Sequence, residues 1–198
     1  MHFSTSLAAL LLAVPACLAA PGDISAIQST RMVSYVAKDS NSGDLYFLCA
    51  GSQGNPTAVY RKTGKVEPAC VFKWTYYSNR FTLESTYAKG TYLGRHGTDI
   101  LSLGELGDNY WSDASYGPGN IDMEGASHVE TVILGISGSL QSANPNLKAM
   151  SYPAPVADAK GDNQRVEITP KNPVENGNTS YLFEVTWDSD PTAANNPK

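Results

Sequence analysis

The chain has 198 residues and a formal net charge of −5, with 14 Lys and Arg against 19 Asp and Glu. The basic residues form no cluster, which argues against nucleic acid or an anionic membrane as a partner. One domain with a proper core fits this length, and plentiful Gly, Ser, Thr, Asn and Tyr beside only 17% charged residues suits a β-rich extracellular protein.

The first segment, "MHFSTSLAALLLAVPACLAAPGD", holds a short apolar run, Leu7 to Val14, followed by small residues. It reads as a secretory signal peptide of residues 1–19, cleaved after Ala19 and too short for a membrane span. A bacterial lipoprotein anchor at Cys17 is the alternative; Pro15 and the lack of Lys or Arg in the n-region argue against it. No later segment is long and apolar enough for a span. The expected product is therefore secreted and extracellular, without membrane insertion. Residues 20–187 are left for a single all-β domain, and the polar end 188–198, "DSDPTAANNPK", is expected to be disordered.

Cys49 and Cys70 remain after cleavage. In an oxidising compartment they are expected to form one disulfide, closing a loop of roughly 20 residues and worth about 3 kcal/mol; two buried free thiols are the alternative. Their spacing matches no zinc site, and neither metal nor cofactor is expected. Asn178-Thr179-Ser180 is a glycosylation sequon.

No long segment has helical periodicity. Short apolar runs separated by Gly, Asn, Asp and Pro read as strands and turns, with a helical turn opening Asp23 to Val36 as the one exception considered. In chain order, an alternating strand is expected at Met32 to Val36 and a second at Leu45 to Leu48. The disulfide loop "AGSQGNPTAVYRKTGKVEPA" follows, then "CVFKW" ending at Trp74. Phe81 to Ser85 and Thr91 to Gly94 repeat the pattern and lead to "NYW" at Trp111. Ile121 to Gly125 and Thr131 to Gly135 repeat it again. A proline-rich insertion, Gln141 to Thr179, contains one convincing strand, Arg165 to Thr169, and the last unit closes on "LFEVTW" at Trp187.

Three units of strand, turn, strand and closing Trp strand, about 31–77, 80–117 and 120–187, resemble the β-trefoil, with the three tryptophans in matching places. The resemblance implies a six-stranded barrel capped by three hairpins, in which three units bury together what one cannot. A β-sandwich is the alternative.

Enzyme chemistry finds little support. Arg95-His96-Gly97 opens like the motif of histidine phosphatases, but Asp99 stands where an Arg should hold phosphate, so the stretch reads as a hairpin turn. "GISGS", Gly135 to Ser139, is not a nucleophile elbow. Paired carboxylates are hardest to set aside: Asp99, Glu105, Asp108, Asp113, Asp122, Glu124 and Glu130 crowd the middle of the chain, leaving glycoside hydrolysis as the least unlikely enzyme class.

For a secreted trefoil the resemblance implies a carbohydrate-binding module, a protease inhibitor or a receptor-binding factor. Sugar rings stack their C–H faces on aromatic side chains while Asp and Asn accept their hydroxyls. Tyr76, Tyr77, Asn79, Asp108, Asn109, Tyr110, Asp113 and Tyr116 supply both types near unit junctions. Ricin-type lectins carry Gln two residues before the unit's Trp. This chain has Phe72, Asn109 and Val185 there, so no site is carried over from that family. The reading is a non-catalytic protein whose partner is a glycan or an extracellular protein, in an oligomeric state the sequence does not specify. The alternatives are a protease inhibitor presenting Arg61 and Lys62 on the Cys49–Cys70 loop, or an extracellular interaction or effector protein.

Overall fold

The computed structural model describes residues 29–39, 41–51, 56–77, 80–96, 100–136, 152–153, 163–166, 168–169 and 181–192. The expected signal peptide, Asn79, Asp99, the Asn178 sequon and most of the 141–179 insertion lie outside the described residues.

Among the described residues the regular elements are thirteen strands and one short 3-10 turn, Pro68–Cys70. The strands are β1 (Ser29–Lys38), β2 (Leu45–Cys49), β3 (Val59–Lys62), β4 (Phe72–Tyr77), β5 (Arg80–Ser85), β6 (Tyr92–Arg95) and β7 (Leu101–Gly104). They continue as β8 (Trp111–Pro118), β9 (Ala126–Ile136), β10 (Tyr152–Pro153), β11 (Asn163–Arg165), β12 (Ile168–Thr169) and β13 (Leu182–Trp187). Among the described residues no helix is long and apolar enough to cross a membrane. The chain is all-β, as its composition and periodicity predict.

Six strands close a ring of antiparallel pairs. β1 pairs β4, β4 pairs β5, β5 meets β8, β8 pairs β9, β9 pairs β13, and β13 returns to β1. The same register recurs around the ring: Val33 opposes Phe72, Phe81 opposes Trp111, and Val132 opposes Leu182. All six side chains are buried in one core. Tyr35, Leu83 and Leu134 lie two residues farther along β1, β5 and β9 and fill the next level of the same core. Burial of such side chains contributes roughly 1.5–3 kcal/mol each, which favours closing the ring over leaving an open sheet.

The end towards which β1 and β5 run is capped by the β2–β3 and β6–β7 hairpins, with β11 added to β3. Three backbone hydrogen bonds run in a cycle beneath this cap. Ala58 N–H donates to the Leu101 carbonyl (2.8 Å), Leu101 N–H to that of Val166 (3.0 Å), and Val166 N–H to that of Ala58 (3.3 Å). All three residues are fully buried, so each bond satisfies a donor and an acceptor that water cannot reach.

β1 is covered on both sides. Val33, Tyr35 and Ala37 face the ring core, whereas Met32 and Val36 lie in a second apolar cluster with Phe47, Val185 and Trp187. The Cys49–Cys70 disulfide sits in that outer cluster and ties β2 to the 3-10 turn. Trp187 Nε1 donates to Ser34 Oγ (3.2 Å), and Ser34 Oγ donates to the Cys70 carbonyl (2.8 Å), so the buried polar atoms of this flank are satisfied.

The opening of the Asp23–Val36 segment, the place of the helical turn considered, lies outside the described residues, and from Ser29 the segment is strand. Two expectations are corrected. Ile121 to Gly125 forms no strand. It is a turn ending at Gly125 (φ 81°), and β9 runs as one strand through the Ala126–Glu130 stretch that reads as a turn. The tryptophans do not match: Trp111 shares its level with Phe72 and Leu182, while Trp187 points away from the ring into the outer cluster.

Candidate functional site

Two places gather polar and aromatic side chains: the uncapped mouth of the ring and an outer face on β4, β6 and the β7–β8 loop.

At the mouth, Trp74 opposes Leu83, Asp113 opposes Leu134 and Glu184 opposes Tyr35, three equivalent positions one step below the apolar levels. A purely apolar barrel would place hydrophobic side chains at all three. Here Arg31, paired with Trp74 in register, lays its guanidinium 4.3 Å above the indole centroid and forms an ion pair with Glu184. Tyr35 donates its hydroxyl to Glu184 Oε2 (2.8 Å). Glu130 lies opposite Glu184 on β9, and carboxylate oxygens of Asp113, Glu130 and Glu184 all come within 4.8 Å of one another. Ser115 donates to Glu130 Oε2 (2.9 Å), and exposed His128 stands 3.9 Å from the same oxygen. Tyr76 stacks parallel on Trp74, with centroids 5.4 Å apart.

Burial sets the electrostatics. Glu184 is fully buried, and loss of water pushes its carboxyl up to about 7; Arg31 and the Tyr35 hydroxyl oppose this, while Asp113 and Glu130 add to it. Loss of water also raises Asp113, with Arg31 lowering it and Glu130 raising it further. Tyr35 is held well above the ordinary tyrosine range by burial first and the adjacent Glu184 second. Among the described residues four buried polar atoms lack a hydrogen-bond partner. Three of them, Arg31 Nε, Trp74 Nε1 and Thr186 Oγ1, belong to mouth residues. The fourth, the Tyr60 hydroxyl, lies in the core.

On the outer face, Tyr77 and Tyr110 meet edge to face with centroids 6.2 Å apart, and the Arg80 guanidinium lies 3.9 Å from the Tyr110 centroid. Tyr92 completes the group. Its pKa is raised by burial first, then by the Glu84 carboxylate, then by Tyr77 and Tyr110. All three tyrosines are half-exposed.

The sequence-predicted residues thus separate. Tyr76 and Asp113 are at the mouth; Tyr77 and Tyr110 share the outer face, with exposed Asp108 in the adjoining turn. Tyr116 is exposed and packs on Tyr181 (5.0 Å). Buried Asn109 is structural, accepting from Arg95 N–H (2.7 Å) and donating to the Leu106 carbonyl (3.0 Å). Of the crowded carboxylates, Asp113 and Glu130 come together, joined by Glu184.

Arg61 and Lys62 sit in β3, not on a loop tip. Arg61 opposes Phe47 on one side and Asn163 on the other and pairs with Glu67; Lys62 pairs with Asp44 at 2.6 Å. A protease requires extended, unpaired backbone, which a strand flanked on both sides does not offer. His96 follows β6 in the middle hairpin, its Nε2 3.1 Å from the Tyr92 carbonyl and its ring against Gly104. Arg31, Tyr92 and Glu184 carry no motif in the sequence; the closed ring brings Arg31 and Glu184 together, and the pairing of β6 with β5 brings Tyr92 to the outer face.

No protein-family model matches the chain, and no curated protein matches its sequence at a significant level.

Proposed function

We propose that the chain is a secreted, non-catalytic β-trefoil protein that binds carbohydrate through the Tyr77–Tyr92–Tyr110 face. Support for the trefoil reading comes from the six-strand ring, the register that recurs on it, and the cyclic bonds joining Ala58, Leu101 and Val166. The observation that carries the sugar reading is the convergence of three half-exposed tyrosines from separate segments, flanked by Arg80 and Glu84. Ring faces take the C–H side of a pyranose, and phenol, guanidinium and carboxylate groups answer its hydroxyls.

The mouth supports the non-catalytic reading. Glu184, the carboxyl whose raised pKa would suit a general acid, has one oxygen on Arg31 and the other on Tyr35.

A glycan array on the secreted protein tests the proposal. Binding is expected to weaken at least about tenfold in both Tyr77→Ala and Tyr110→Ala. Absence of glycan binding, together with stoichiometric trypsin inhibition that is lost in Arg61→Ala, overturns it. N-terminal sequencing of protein recovered from culture medium is expected to start at Ala20.

A further inference from the structure

We infer that the mouth of the ring is a second binding site, separate from the tyrosine face, for a small hydroxylated ammonium compound of the amino-sugar class. Three features select this chemistry.

The first is unbalanced charge. Glu184 is already matched by Arg31 and Tyr35. Asp113 and Glu130 face the same space, and among the described residues neither forms an ion pair with a Lys or Arg. A protonated amine placed between them donates to both carboxylates.

The second is the set of unused donors. The Trp74 indole is only 7% exposed, and among the described residues its Nε1–H has no acceptor. The guanidinium that lies on this indole and holds Glu184 leaves its own Nε–H unpartnered, as does the buried Thr186 Oγ1, one step beyond Glu184 on the same side of β13. Buried donors without acceptors oppose folding, and a ligand oxygen relieves them. A bare metal ion satisfies the carboxylates but offers these N–H groups nothing. A neutral sugar satisfies the donors but leaves the Asp113 and Glu130 charges uncompensated. A ligand with one ammonium and several hydroxyls answers both sets.

The third is access. Asp113, Ser115 and His128 are exposed, and Arg31 and Tyr76 are half-buried above a floor of Glu184 and Trp74. Tyr76, stacked on Trp74, provides an apolar wall for a sugar ring.

The test is calorimetric titration of the mature chain at about pH 6.5 with D-glucosamine, D-glucose and calcium chloride in turn, alongside spectra of the ¹⁵N-labelled tryptophan indoles. Glucosamine is expected to bind at least about tenfold more tightly than glucose and to move the Trp74 indole resonance, identified by its loss in Trp74→Phe. Asp113→Asn and Glu130→Gln, with unfolding midpoints near wild type, are each expected to weaken glucosamine at least about tenfold. Tyr77→Ala is expected to leave it unchanged, so failure of the tyrosine-face reading and failure of this one are distinguishable. Equal affinity for glucose and glucosamine, tighter binding of calcium than of glucosamine, an unmoved Trp74 resonance, or full affinity in Asp113→Asn each overturns the inference.

Discussion

Replacing Glu184 with Gln should remove most of a pH dependence of stability expected of the wild-type chain between about pH 4.5 and pH 7. The Glu184 carboxyl goes from 4.5 in the unfolded chain to about 7 in the fold. The folded chain therefore holds this proton more tightly than the unfolded chain does. Its stabilising effect is complete below pH 4.5 and is lost as pH rises through about 7. At about 1.4 kcal/mol per pH unit, that interval corresponds to about 3 kcal/mol. Asp113 is shifted the same way and steepens the fall. Asp39 and Asp44 act oppositely. Backbone N–H groups of Ser42 and Asn41 hold Asp39 below the ordinary carboxylate range, and Lys62 does so for Asp44, so their contribution is lost only at more acid pH. The two effects occupy different windows. Urea unfolding followed by tryptophan fluorescence at about pH 5 and about pH 8 measures the difference. Wild type is expected to be less stable at the higher pH by about 3 kcal/mol, and Glu184→Gln to keep only the smaller Asp113 share. Equal wild-type stability at both pH values, or a wild-type slope in Glu184→Gln, refutes the reasoning.

Removing the disulfide by Cys49→Ser with Cys70→Ser is expected to cost about 3 kcal/mol in urea unfolding, since it closes a separation of 21 residues. Gly94→Ala is expected to cost more than about 2 kcal/mol: its Cβ would lie 2.3–2.4 Å from Asn109 side-chain atoms that hold the neighbouring loop. Gly64→Ala, with open space around it, is expected to stay within about 0.5 kcal/mol in the same assay. Trp111→Phe loses the Nε1–H bond to the Leu93 carbonyl (2.9 Å) inside the core, and thermal melting should report a loss of about 2 kcal/mol.

What the sequence makes legible here follows from the range over which its signals act. β1 and β2 announce themselves because their apolar residues lie together in the chain. The disulfide follows from parity and compartment. The third unit does not announce itself. Ser127, His128 and Glu130 look like turn residues, yet they lie on β9 and are fixed by β13, their ladder partner far along the chain. The mouth is hidden for a related reason. In "LFEVTW" the more apolar alternate set is Phe183, Val185 and Trp187, so Glu184 reads as solvent-facing. Ring closure reverses that sense: Leu182 faces the ring core, and Val185 and Trp187 face the outer cluster. Alternation identifies two faces of a strand but does not say which one looks inward when both are covered.

That reversal gives the mouth its meaning. The ring offers the same position on β4, β8 and β13, and at the level of Phe72, Trp111 and Leu182 all three occupants are apolar. One step lower the occupants are Trp74, Asp113 and Glu184. Asp113 is exposed and open to water, but Trp74 and Glu184 are buried, and apolar side chains would suit those two positions as well. A buried ion pair such as Arg31–Glu184 is seldom more stable than well-packed hydrophobic residues of similar volume, and unpartnered donors at Trp74 and Arg31 add a further cost. Folding alone therefore does not account for this composition. A chain that follows the apolar rule through its core and departs from it at one accessible end has the distribution expected where binding, not packing, fixes the residues. The same comparison separates Trp74 from the other tryptophans: the Trp111 and Trp187 indole N–H groups are satisfied within the protein, and that of Trp74 has no partner among the described residues.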